Sequence, residues 1–322
     1  MPKNILSKKQ RAAARSTRIY SARPDAPYSL SGAYVSRNQI RAEIIHVIVY
    51  QNNKAGFLDD AFKRDIETVV LAEFTARTGK KVAEAEIRSW KESLMSVAKV
   101  LNDEDIPNDS GVAIEYNIPQ TGKRIDFMLS GKDQEHVDNL IIIELKQWSE
   151  VKKTHKDAIV AVRFSKGEVE VSHPSYQAWS YASLLENFNE EVYKGSIHLS
   201  PCAYLHNYVS DGVLTDDFYR YHIDRAPVFL KGDVEKKRLQ DFIKKYVKYG
   251  DQTSLIYRIE GARIRPSKGL VDSLVGMLTG NDEFVLIDDQ KVVFENALAL
   301  ARKSAHKSLK KPKQVLIVEG GP

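Results

Sequence analysis

The apolar positions of this chain change their period several times, and each change marks an element. Leu58, Phe62, Ile66, Val69, Val70 and Phe74 recur at helical spacing. Ile87, Trp90, Leu94, Val97 and Leu101 do so again, with Gly79 punctuating the two helices expected there. Residues 112–118, Val-Ala-Ile-Glu-Tyr-Asn-Ile, read as a strand. Pro119-Gln120-Thr121-Gly122 reads as a turn, and Arg124 to Leu129 as the return strand of a hairpin. Ser130 to Asp138 is a polar loop. Leu140-Ile141-Ile142-Ile143 is then apolar without alternation, as in a strand buried on both faces, and it predicts a strand over 139–147. A helix is expected from His173-Pro174 to about Phe188, with its proline near the start and Leu184 and Leu185 continuing the apolar stripe. Ala203-Tyr204-Leu205-His206 reads as a further short strand. Helices, three strands, a helix and a strand form an α/β unit, and its hairpin makes the sheet mixed.

The acids and bases on these elements carry the chemistry. Glu144 and Lys146 directly follow the apolar run, and strand side chains alternate, so the two share a face while Leu145 points to the core. Asp126 lies on the return strand of the hairpin. Two carboxylates suit a hard divalent cation such as Mg²⁺, which takes oxygen ligands. Such a cation lowers the pKa of a bound water and polarises a phosphoryl oxygen. An adjacent ammonium can orient the nucleophile or stabilise transition-state charge. Asp126 and Glu144 are therefore the candidate ligands of Mg²⁺ or Mn²⁺, and Lys146 the charged assistant. An acid followed by E-x-K also arises on solvated strand faces, but there it is set in alternating sequence and not at the end of a continuous apolar run. Downstream, Gln177 and Tyr181 are four apart and share a helix face.

In this order the motifs resemble the PD-(D/E)XK nuclease superfamily, in particular its RecB-like branch. That branch has an acid on the second strand, E-x-K on the third and Q-x-x-x-Y on the following helix. Ile125 stands where the family's loosely kept proline precedes the acid. The resemblance implies a restriction-endonuclease-like core over 46–210, a mixed sheet flanked by helices. It also implies hydrolysis of phosphodiester bonds by a metal-activated water, with Asp126, Glu144, Lys146, Gln177 and Tyr181 as the catalytic set. Some members add an upstream His or Glu as a ligand; Glu115 and Glu67 are the candidates here, and His46 a poorer one. Nucleic acid is the expected partner, DNA favoured over RNA. A non-catalytic nucleic-acid-binding module and a regulatory fragment of a helicase are the alternatives.

The ends of the chain extend the resemblance. Residues 314–322, Gln-Val-Leu-Ile-Val-Glu-Gly-Gly-Pro, are a short apolar strand running into Gly-Gly-Pro. Gly320 matches the first glycine of a P-loop, G-x-x-x-x-G-K-[ST]. Residues 284–290 lead into an apolar helix, Val292 to Ala301, and Gln290 resembles the adenine-reading glutamine of superfamily-1 helicases. The layout is similar to a bacterial nuclease–helicase family with a Schlafen-like ATPase. Residues 283–322 are thus expected to be the start of a truncated helicase domain that binds no ATP in this chain. Residues 211–282, with amphipathic stretches at 241–249 and 268–278 on either side of Pro266, are expected to be a mainly helical connecting region.

Composition adds bounds. No apolar stretch approaches twenty residues, so no membrane span is expected. One cysteine, Cys202, leaves no internal disulfide and suits a reducing cytoplasm. The net charge of +5 is unevenly spread. Residues 1–45 hold Lys3, Lys8, Lys9, Arg11, Arg15, Arg18, Arg23, Arg37 and Arg41 and read as a basic, disordered extension. Lys152, Lys153, His155, Lys156 and Arg163 follow the catalytic strand. Lys152 and Lys153, with His173, are the candidate contacts to a nucleic-acid backbone.

Overall fold

The computed structural model describes residues 48–164, 167–277, 285–305 and 318. The described residues between Ile48 and Glu295 belong to one compact unit. A six-stranded sheet in the order β1-β2-β3-β4-β8-β9 runs through it. β1 (Ile48–Asn53), β2 (Gly111–Asn117), β3 (Arg124–Lys132) and β4 (Asp138–Leu145) pair antiparallel, whereas β8 (His198–Tyr204) and β9 (Val228–Phe229) continue the sheet parallel to β4. A parallel neighbour needs a crossover. Here the chain leaves β4, forms a separate three-stranded antiparallel sheet from β5 (Val151–Lys153), β6 (Ile159–Phe164) and β7 (Gly167–Ser172), and returns through α4 (Pro174–Phe188) and α5 (Glu190–Lys194).

The helices follow from the apolar stripes. α1 (Lys54–Lys63), α2 (Ile66–Thr78) and α3 (Glu84–Leu101) precede β2. α2 ends at Gly79, whose φ of +63° is the left-handed geometry that favours glycine after a helix. These three, with α7 (Asp233–Tyr246), cover one face of the sheet around Phe57, Leu94, Ile114, Phe127, Ile141 and Ile143. α4, α5 and α8 (Leu255–Glu260) cover the other around Tyr116, Ile125, Ile142, Tyr181 and Leu185. Ile141 and Ile143 face one core and Leu140 and Ile142 the other, which is why this run does not alternate. A third cluster packs β5 and β6 against Leu205, Tyr208, Leu214, Tyr219 and Leu230. The remaining helices are α6 (Arg220–Ile223), α9 (Lys268–Met277) and α10 (Asp288–Ala305).

The hairpin, the buried strand and the α4 helix lie where the apolar pattern puts them. β1 and the β5–β7 sheet have no counterpart in the apolar pattern, and Lys152 and Lys153 lie on β5. Residues 285–295 join the same compact unit as the sheet. Among the described residues no helix is long and apolar enough to cross a membrane. The basic extension at 1–45 and, apart from Val318, the expected strand at 314–322 lie outside the described residues, as does His46.

Candidate functional site

β2 and β3 leave their regular pairing where the acids sit. The register runs through Ile114↔Phe127 and resumes at Tyr116↔Ile125, so Glu115 and Asp126 form no ladder pair. Glu115 has a φ of +60°, in the left-handed region that a non-glycine residue rarely adopts. The kink changes which face each neighbour serves. Ile114 and Phe127 pack in the α3-side core, Tyr116 and Ile125 in the α4-side core.

Asp126 then reaches across to β4. Its Oδ2 accepts from the Leu145 backbone N–H at 2.9 Å, at the residue between Glu144 and Lys146. The pairing of β3 with β4 thus seats the hairpin acid at the E-x-K phrase. Lys146 Nζ donates to Glu144 Oε1 at 2.6 Å and lies 5.4 Å from the centre of the Trp148 ring. Glu144 is 2% exposed, and its second oxygen, Oε2, is buried with no hydrogen-bond partner. A buried orphan acceptor is costly unless something else satisfies it. Burial first, and then the charge of Asp126, push the Glu144 carboxyl up to about 8, with Lys146 pulling the other way. Burial works against the charge on Lys146, but Glu144, Asp126 and Asp288 outweigh it and hold the ammonium above its usual pKa.

On α4, Gln177 Nε2 donates to the Tyr181 hydroxyl at 2.9 Å. Burial, followed by the charges of Glu144 and Asp288, raises the Tyr181 phenol well above its ordinary range, so it remains a neutral donor. The helix is positioned by its N-cap. His173 Nδ1 accepts from Ser175 N–H at 3.2 Å, Nε2 lies 3.2 Å from the Leu214 carbonyl, and the ring stacks on Tyr219. His173 is fully buried, and burial lowers its pKa to about 3, leaving it neutral. Its ring is thus buried as a cap, with no exposed surface to offer a nucleic-acid backbone. Lys152 and Lys153 do reach solvent. Lys152 pairs with Glu168, and Lys153 with Asp216 at 2.6 Å.

Glu115 is brought near Asp126 but is engaged elsewhere. Its Oε1 accepts from Trp90 Nε1 at 2.7 Å, and its Oε2 lies against Arg124, which also bonds Glu86 at 3.0 Å. Burial first raises the Glu115 carboxyl to about 8, Arg124 lowering it and Asp126 raising it further. Glu67 is bound to Lys91 at 2.6 Å. A crevice of about 100 Å³ between α3 and the hairpin is lined by Glu86, Trp90, Glu115, Arg124, Asp126 and Leu145. Among the described residues, no group of three or more His, Cys, Asp or Glu side chains is arranged to hold a metal ion. Mg²⁺ is usually held by one or two carboxylates, with waters and substrate phosphates completing its shell. Asp126 and the orphaned Glu144 Oε2 fit that smaller demand.

Two neighbours of the site carry no local sequence signal. Lys123, on the turn before β3, and Asp288, the first residue of α10, meet at 3.1 Å, and Asp288 Oδ2 is 3.5 Å from the Tyr181 hydroxyl. Gln290 accepts from the Ile287 N–H at 3.1 Å through its side-chain oxygen and lines a cavity of about 310 Å³ with Leu184, Phe188 and Leu270. Comparison with protein families, with curated proteins and with solved structures gives no match.

Proposed function

We propose that this chain is a Mg²⁺- or Mn²⁺-dependent nuclease of the PD-(D/E)XK kind, hydrolysing phosphodiester bonds of nucleic acid, with DNA favoured over RNA. One observation carries the reading: the hairpin acid Asp126 is hydrogen-bonded to the backbone between Glu144 and Lys146, beside a buried Glu144 oxygen that lacks a partner. Asp126 and Glu144 Oε2 would hold the cation. When bound, it would supply Lewis-acid polarisation of the phosphate and a more acidic water. Lys146 holds its proton and offers positive charge where negative charge develops. Tyr181, fixed by Gln177, presents a neutral hydroxyl on the same side and can orient the incoming water or a phosphate oxygen. Arg124 keeps Glu115 in place and so shapes the wall of the crevice beside Asp126.

The purified chain incubated with labelled single- and double-stranded DNA and RNA tests this. Cleavage is expected with Mn²⁺ and none with EDTA, and Lys146→Ala should lower the rate by about 10²–10³-fold. Cleavage that survives EDTA, or a Lys146→Ala protein as active as wild type, refutes the assignment. A binding module without catalysis is the second reading, favoured by the missing three-acid cluster among the described residues. Tight binding with no cleavage in any metal would decide for it.

A further inference from the structure

The segment before α10 is fastened beside the candidate site at several points. Tyr176 donates its hydroxyl to the Leu286 carbonyl at 2.6 Å, and Ser172 Oγ to the Asp288 carbonyl at 3.0 Å. Buried Lys291 bonds Asp157 at 2.7 Å and Glu295 at 2.8 Å. These contacts hold two acids on one ammonium, with Lys123 Nζ 3.1 Å from Asp288 Oδ2 and 2.6 Å from Asp289 Oδ2. Two further features mark Asp288. Asp288 has a φ of +20°, at the edge of the left-handed region. Its charge also adds to that of Asp126 in the same low-dielectric surroundings, and its field reaches Glu144, Lys146 and Tyr181. An acid whose field adds to that of Asp126, beside a cation and a phenol that could each bind an anion, occupies the place of something more anionic.

We propose that Lys123 is a phosphate-binding residue beside the Asp126–Glu144–Lys146 site, and that Asp288 and Asp289 occupy it as internal stand-ins until a nucleic-acid phosphodiester displaces them. The proposal takes its ligand class from the nuclease reading, but not its test. A phosphodiester exchanges one anion for another on Lys123 and carries the rest of the polyanion toward Lys146. The simpler account is an ion pair that only anchors α10, and the two accounts differ in what neutralising the acids does to binding.

The experiment measures fluorescence anisotropy of fluorescein-labelled single- and double-stranded DNA and RNA with the full chain, in EDTA. Asp289 is 82% exposed, so Asp289→Asn leaves the fold intact, and it should tighten binding by about threefold. Asp288→Asn with Asp289→Asn should tighten it by about tenfold, and Lys123→Gln should weaken it and abolish both gains. Asp59→Asn with Asp241→Asn, both exposed on α1 and α7, controls for net charge. The proposal is overturned if Asp289→Asn does no more than that control, if the gain persists with Lys123→Gln, or if no nucleic acid binds any variant. Because no cation enters, a chain that binds as described but never cleaves refutes the nuclease reading alone. A chain that cleaves but ignores these substitutions refutes this one alone.

Discussion

A carboxyl buried beside another carboxyl prefers to keep its proton, and Glu144 and Glu115 both do. Each is raised from 4.5 to about 8, burial being the largest cause. Between those two pH values the folded chain holds protons that the unfolded chain has released. Stability therefore falls as pH rises from about 4.5 to about 8 and is level beyond. Urea denaturation midpoints should fall across that window, and Glu144→Gln and Glu115→Gln should each flatten the slope. An unchanged slope in Glu144→Gln would mean that Lys146 keeps Glu144 ionised in the resting fold. A cation competing for Glu144 Oε2 must displace the same proton. Mn²⁺ affinity by calorimetry should accordingly rise with pH up to about 8 and lose that dependence in Glu144→Gln. The types and spacing of Asp126, Glu144 and Lys146 were legible because alternation along a strand fixes faces. The engagement of Glu115 was not, because its left-handed backbone defeats alternation and its partner Trp90 lies 25 residues away.

At the scale of elements, legibility tracked the length and apolarity of each run. Leu140–Ile143 and the α4 stripe announce themselves because many consecutive side chains are buried. The β5–β7 strands are three to six residues long, interrupted by charges, and packed on Tyr208, Leu214 and Tyr219 from later in the chain. Nothing local marks them. His173 shows the same limit. A histidine downstream of Lys152 and Lys153 reads as a phosphate contact, yet its burial depends on Leu214 and Tyr219, some forty positions on. Removing it should cost the first turn of α4 its cap and leave a cavity beside Tyr219. His173→Ala should lower stability by about 2–4 kcal/mol, combining a lost cap with a cavity. His173→Asn, which can still cap, should lose less. At temperatures where the variants stay folded, nucleic-acid affinity should match wild type for both. A drop in affinity without a drop in stability would restore the phosphate-contact role.

The whole molecule ties its later residues to its earlier ones through Asp157. This side chain, in the loop between β5 and β6, lies 2.9 Å from His222 Nε2 on α6 and accepts from Lys291 on α10 at 2.7 Å. The resemblance implies that 283–322 begin a helicase domain, and the described residues 285–295 lie in the same compact unit as the sheet. The reason is a set of polar contacts across more than a hundred residues, which no window of sequence can show. The hydrogen bond from His222, and then Lys291 against the opposing effect of burial, hold the Asp157 carboxyl well below the usual carboxylate range. A depressed acid contributes stability above its unfolded value of 3.8 and loses it only as pH falls through the lower folded value. The latch should therefore hold from neutral pH down to about 4 and fail in stronger acid. Hydrogen exchange at the first turns of α10 reads this directly. Asp157→Asn and Lys291→Met should speed exchange at residues 288–295 at neutral pH while leaving β3 and β4 protected, because the sheet has its own cores on both faces. If exchange in β3 and β4 rises equally, the segment is part of the global fold and not a separately latched element.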